Sequence, residues 1–160
     1  MFLVRDRSLR TAALIVVTLG IISATAPAAR AGRDDMRDVT VLLQTMNDER
    51  AGRGLRPLQL DRQLCAIAYE HAIDMARRNY FSHTTPEGLS PFERMAARHY
   101  RFGYAGENLA LDESARSIAR DFWNSLEHRS NMLGPHYARV GIASVDDPPE
   151  GLIVVEDFSD

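Results

Sequence analysis

The sequence predicts an α/β protein, a three-layer α-β-α sandwich around a mainly antiparallel central sheet. Three observations predict it. Helical periods fill the first two-thirds of the chain, two extended apolar runs close it, and the last run is apolar on both faces, so both sides of its sheet need cover.

The chain has 160 residues. Arg5, Arg7 and Arg10 precede an apolar run from Ala12 to Ala24, and Ala29-Arg30-Ala31 precedes Gly32. A basic head, a short apolar core and an A-x-A site read as a secretory signal peptide over residues 1–31. Residues 32–160 then form a single domain, large enough to bury a core without a disulfide or a metal. The apolar run falls short of the ~20 residues that span a bilayer, so no stable membrane insertion is expected after cleavage. The destination is the periplasm or the cell exterior.

Beyond residue 31 there are 15 basic and 21 acidic residues, and no lysine anywhere. The arginines alternate with acids instead of forming a basic stripe, which excludes a nucleic-acid partner. Cys65 is the sole cysteine and reads as a small buried apolar side chain, not a reactive thiol.

Asp34 to Arg53 predicts a first helix through Val39, Leu42, Leu43 and Met46. Asp61 is a good N-cap for a second, to about Asn79, with Leu64, Ala68, Ala72 and Met75 as its stripe. The composition from Tyr80 to Gly88 is that of a loop, and Ser90-Pro91 opens a short third helix to about His99. Phe102 to Ala110 holds two glycines and no helical period. A fourth helix starts at Asp112 or Ser114, with Ala115, Ile118, Ala119, Phe122 and Leu126 on its apolar face. A polar loop, Glu127 to Pro135, leads to strands Tyr137–Val145 and Leu152–Phe158, an antiparallel hairpin.

No nucleophile elbow, phosphate loop, dinucleotide fingerprint or H-E-x-x-H string occurs. Glu70-His71 and Glu127-His128 are sequence neighbours, and neighbours on a helix point about 100° apart. Three ionisable residues stand in loops or at element ends: His83, Glu107 and His128. Two imidazoles and a carboxylate with one position open suit Zn²⁺ or a similar divalent ion; the bland alternative is three loop-ordering residues. On spacing alone His71, His99 and His136 read as structural or solvated, and Ser82 as a loop-ordering hydrogen bonder.

Several strings, in order, resemble one family. They are Asn47-x-x-Arg50 with Leu58, Asp61 and Leu64; Tyr80-Phe81-Ser82-His83 with Pro86-x-Gly88-x-Ser90-Pro91 and Arg94; and Gly106-Glu107-Asn108-Leu109-Ala110. Trp123-x-Ser125-x-x-His128-Arg129-x-Asn131-Met132-Leu133, Val140-Gly141-Ile142 and Glu156-Asp157-Phe158 complete the set. From Val39 to Phe158 the chain is similar to bacterial members of the CAP superfamily, which joins cysteine-rich secretory proteins, antigen five and pathogenesis-related proteins.

The resemblance implies a cleft lined by two His and, in eukaryotic members, two Glu. His83 matches the first His and Glu107 the glutamate of the Gly-Glu-Asn string. For the second His, His128 matches the bacterial His-Arg-x-Asn string, and His136-Tyr137 resembles the eukaryotic Gly-His-Tyr string. The other Glu has no counterpart, since its place falls on Leu126 or Ser125. Asn108, Ser125 and Asn131 match positions that lock loops by hydrogen bonds. Such folds host several functions. The expected metal set is therefore His83 and Glu107 with His128 or His136. The leading function is a secreted envelope module binding a divalent metal or small ligand; the alternatives are a metal-dependent hydrolase of envelope polymer or peptide, and a structural protein.

Overall fold

The computed structural model describes residues 31–160. The expected leader, apart from Ala31, lies outside the described residues. Five helices and four strands follow in order: α1 (Ala31–Ala51), β1 (Gln59–Leu60), α2 (Arg62–Arg78), α3 (Pro91–Ala97), β2 (Ala105–Asp112), α4 (Ala115–Asn124), α5 (Leu126–Met132), β3 (Arg139–Asp147) and β4 (Gly151–Ser159).

The caps stand where the sequence places them. Asp61 accepts from the amides of Gln63 and Leu64 at the start of α2, and Ser90 forms a reciprocal capping box with Glu93 ahead of Pro91. Asn79 ends α2 in the left-handed region, at φ 54°. Ser114 caps α4.

The sheet order is β1-β3-β4-β2. β3 and β4 form the expected antiparallel hairpin, and β2 pairs antiparallel on the other side of β4. The two-residue β1 runs parallel to β3, so the sheet is mixed rather than wholly antiparallel. β4 is central, and every residue from Leu152 to Ser159 is buried. On one face Val39, Leu42 and Met46 of α1 and Ile118 and Phe122 of α4 pack on Val140, Ile142, Val154 and Phe158. On the other, Ala68, Ala72 and Met75 of α2 pack on Leu109, Ala143, Ile153 and Val155. Gly141 permits this second contact: a β-carbon there would overlap the backbone of Leu64.

Two segments differ from the sequence reading. The stretch with no helical period contains β2, whose two-residue alternation is masked because Glu107 and Asn108 occupy buried positions. The expected polar loop after α4 contains α5, which Ser125 opens by accepting from the His128 amide at 3.4 Å. Ser125 also closes α4, so the chain turns there, and Leu126 is 74% exposed instead of extending the α4 stripe. Cys65 is half-buried and unpaired, and burial raises its thiol pKa.

Candidate functional site

Adjacent residues of β2 point to opposite faces of the sheet, which divides its polar pair. Glu107 lies on the face covered by α2, opposite Asp157 of β4, and Asn108 lies on the other face, opposite Glu156.

Glu107 is the centre of the arrangement. Its side chain is 1% exposed, and each carboxylate oxygen has a partner. Oε1 lies 2.7 Å from Nδ1 of His83, and Oε2 accepts from the Arg94 guanidinium of α3. A carboxylate only accepts, so Nδ1 of His83 is the donor in this contact. Nε2 is then a lone-pair donor on a ring whose side chain is 53% exposed. In the neutral ring the carboxylate thereby fixes one tautomer and leaves Nε2 as the free nitrogen.

His128, in α5, sits half-buried with its ring edge against Phe122, centroids 4.9 Å apart. Burial first, and then the nearby His83, lower its pKa, which favours the neutral ring. Asn108 Nδ2 donates to the His128 carbonyl at 3.3 Å and to Glu156 at 3.0 Å. Asn131 Nδ2 donates to the Glu107 carbonyl at 3.1 Å and to Asn108 at 2.9 Å. These bonds tie α5 to β2, as the locking role of Asn108 and Asn131 requires. Gly106 makes room for them: a β-carbon there would come within 2.7 Å of the Tyr137 hydroxyl and 2.9 Å of Asn131.

The structure thus brings His83, Glu107 and His128 to one region. His136 is exposed and stacks on Tyr104, centroids 4.4 Å apart and nearly parallel. Among the described residues no three His, Cys, Asp or Glu side chains converge as a metal cage. Both oxygens of Glu107 are taken, by His83 and by Arg94. For a divalent ion this leaves the two imidazoles, with Glu107 behind His83 as the orienting carboxylate that metal-bound histidines commonly have.

Two further acids had no role in the sequence reading. Asp157 is fully buried and faces Glu107 across the strand pair; burial, and next the charge of Glu107, push its carboxyl well above the usual range. Glu156 is raised to about 8, again by burial, which outweighs the hydrogen bond from Asn108. The available signal was a charged pair inside an otherwise apolar strand. His71 is buried with Nε2 2.9 Å from the Ser82 carbonyl, and Ser82 Oγ accepts from the Thr84 amide at 3.2 Å. Both fit the structural roles expected of them. A cavity of about 330 Å³ lies between α2 and α3, lined by Ile67, His71, Leu89, Arg94 and Ala97 among others.

A sheet sandwiched between helices, with an imidazole–carboxylate pair at the end of β2, is the framework that the sequence motifs anticipate. The family model described as the Cysteine-rich secretory protein family (CAP) matches residues 43–158, and the chain belongs to that family. It is 34% identical over 106 residues to YkwD of Bacillus subtilis, covering 66% of this chain and 41% of that protein. It is 33% identical over 102 residues to the membrane protein YlbC of the same organism, covering 63% and 30%. The chain therefore spans less than half the length of these curated relatives.

Among solved structures, an extracellular SCP-domain protein of Bacillus anthracis superposes with TM-score 0.72 at 25% identity, covering 78% of this chain and 41% of that one. An outer surface protein of Borrelia burgdorferi also gives 0.72, at 22% identity, covering 78% and 92%. These neighbours are an extracellular and an outer surface protein, and no described helix here is long and apolar enough to cross a membrane.

Proposed function

We propose that this protein is an exported binding module of the cell envelope or its surroundings, whose cleft takes a divalent ion or a small ligand through His83 and His128. The observation that carries this reading is the 2.7 Å contact of His83 Nδ1 with Glu107, which leaves Nε2 as a free lone pair. Neutral imidazoles suit Zn²⁺ best among common divalent ions, and Zn²⁺ would act there as a Lewis acid. His128, in electrostatic reach of His83, is the second imidazole in preference to His136. The remaining positions fall to solvent or to donor atoms of an envelope component.

Calorimetric titration of Zn²⁺ tests this. Micromolar binding, abolished in His83→Ala, weakened in His128→Ala and unchanged in His136→Ala, is the expected result. A wild-type protein that is folded and takes up no Zn²⁺ would sink the metal reading and leave the organic ligand or a structural cleft.

An imidazole oriented by a carboxylate is also the make-up of a general base, which favours a hydrolase of envelope polymer or peptide as the second reading. Cleavage of such a substrate, lost in His83→Ala, would establish it.

A further inference from the structure

We propose that His71 of α2 and Arg94 of α3 are positioning residues that clamp the Ser82–His83 segment from two sides and so fix the direction of the His83 ring. The inference rests on the reading of His83 as the binding group of the cleft and says what holds it in place.

The chain between α2 and α3 has no helix or strand, so its shape depends on side chains that reach into it. Two successive carbonyls are held by two different helices. The Ser82 carbonyl lies 2.9 Å from His71 Nε2, and the His83 carbonyl accepts from an Arg94 terminal nitrogen at 2.6 Å. Two further side-chain ties between α2 and this segment, Tyr80 to Asp74 and Arg78 to Glu87, fall three and four residues away from His83.

Arg94 grips His83 twice. One terminal nitrogen holds its backbone, and the other holds Glu107, which in turn holds its ring. A planar fork can serve two directions at fixed spacing, whereas a lysine ammonium is a single point. The Arg94 side chain is 10% exposed and that of Glu107 1%, so the bond to Glu107 forms where water competes little.

His71 is the stiffer jaw. A carbonyl only accepts, so Nε2 carries the hydrogen and Nδ1 is a bare lone pair. That nitrogen is buried without a partner among the described residues. Protonating it would enclose an unpaired N–H near the Arg94 charge, and burial and Arg94 both lower the pKa of His71 accordingly. The ring is therefore held neutral, with its one donor committed to the loop.

The test is imidazole ¹⁵N NMR and amide exchange on the full domain without metal, in wild type, His71→Phe and Arg94→Lys, with Arg78→Gln as the control. Arg78→Gln cuts a tie of the same loop without touching the clamp. The wild type should show one His83 tautomer, with hydrogen on Nδ1. His71→Phe and Arg94→Lys should each give an averaged mixture and speed exchange at residues 82–84 about tenfold, and the control should do neither. Single-tautomer His83 with slow exchange in both clamp variants would overturn the proposal. So would an equal effect of Arg78→Gln. His71→Leu replaces His71→Phe, and Arg94→Gln replaces Arg94→Lys, if either does not fold. Failure of Zn²⁺ to bind would leave these spectra untouched, so this proposal and the metal reading fail separately.

Discussion

Arg50 reaches 82 residues along the chain to donate to the Met132 carbonyl at 2.7 Å. Its side chain is fully enclosed and also donates to the carbonyls of Arg56, Gly134 and Tyr137, at 2.8, 3.1 and 3.3 Å. One guanidinium thus ties the end of α1 to the turn that follows α5, and its charge is satisfied by carbonyl oxygens. Since α5 carries His128, this bond set helps position one residue of the proposed site.

Arg50→Lys keeps the charge and strands several of these carbonyls. Each buried acceptor left unpaired costs ~1–3 kcal/mol, so a loss of about 3 kcal/mol is expected in denaturant unfolding. Arg50→Ala should be at least as severe. A loss within 0.5 kcal/mol, roughly the range of an ordinary surface change, would show that water replaces the guanidinium.

Gly141→Ala should be the most damaging single-methyl change in the sheet. The added carbon would overlap backbone atoms of Leu64, which belong to a packed helix and cannot rotate away. Overpacking typically costs ~1–3 kcal/mol, and relief requires α2 to shift off β3. Because α2 also carries His71, the variant should lose Zn²⁺ affinity along with stability. An unchanged melting temperature would contradict the close contact of α2 with β3.

Glu156 makes stability depend on pH in a definite direction. Its folded pKa is about 8, against ~4.3 for an unfolded glutamate. Between those values the folded form holds a proton that the unfolded chain has released. Stability therefore falls as pH rises, by up to ~1.4 kcal/mol per unit, and levels off above the folded pKa. Glu156→Gln keeps the shape and removes this slope. The variant's advantage over wild type should grow by about 3–4 kcal/mol from pH 5 to pH 8. Asp157, shifted in the same direction, leaves a residual slope of its own in the variant. Parallel stability curves would show that Glu156 is ionised in the folded protein.

Ligand capture by the two imidazoles should weaken in acid, because protons and cations compete for the same lone pairs. The pKa of His128 lies below that of an ordinary imidazole, so its part in binding should survive to lower pH than the usual ~6.5. Zn²⁺ affinity measured from pH 8 to pH 5 should be level at first and then decline. Affinity that is flat to pH 5 would argue against imidazole ligation.

Much of this architecture is legible in the sequence because it is encoded locally. Asp61, Ser90 and Ser114 announce helix starts by side chains that can satisfy free amides. The unbroken apolar run Leu152–Val155 announces a strand covered on both faces, which is where β4 lies. The family strings likewise single out His83 and Glu107, with His128 or His136 as the second imidazole. Where the sequence reading fell short, a local signal was missing. β2 carries buried polar residues in place of apolar ones, and α5 sends only Met132 fully into the core.

By itself, then, the sequence determined the layers, the hairpin and the short set of residues from which a cleft could be built. Only the tertiary structure decided what those residues do to one another. His83 and Glu107 are 24 positions apart, and Arg94 joins them from a third element. Whether that glutamate is free to bind an ion or is committed to orienting a ring depends on which cation reaches it. That is set by the register of β2 on β4 and the seat of α3, through contacts between distant segments that no local pattern of residues records.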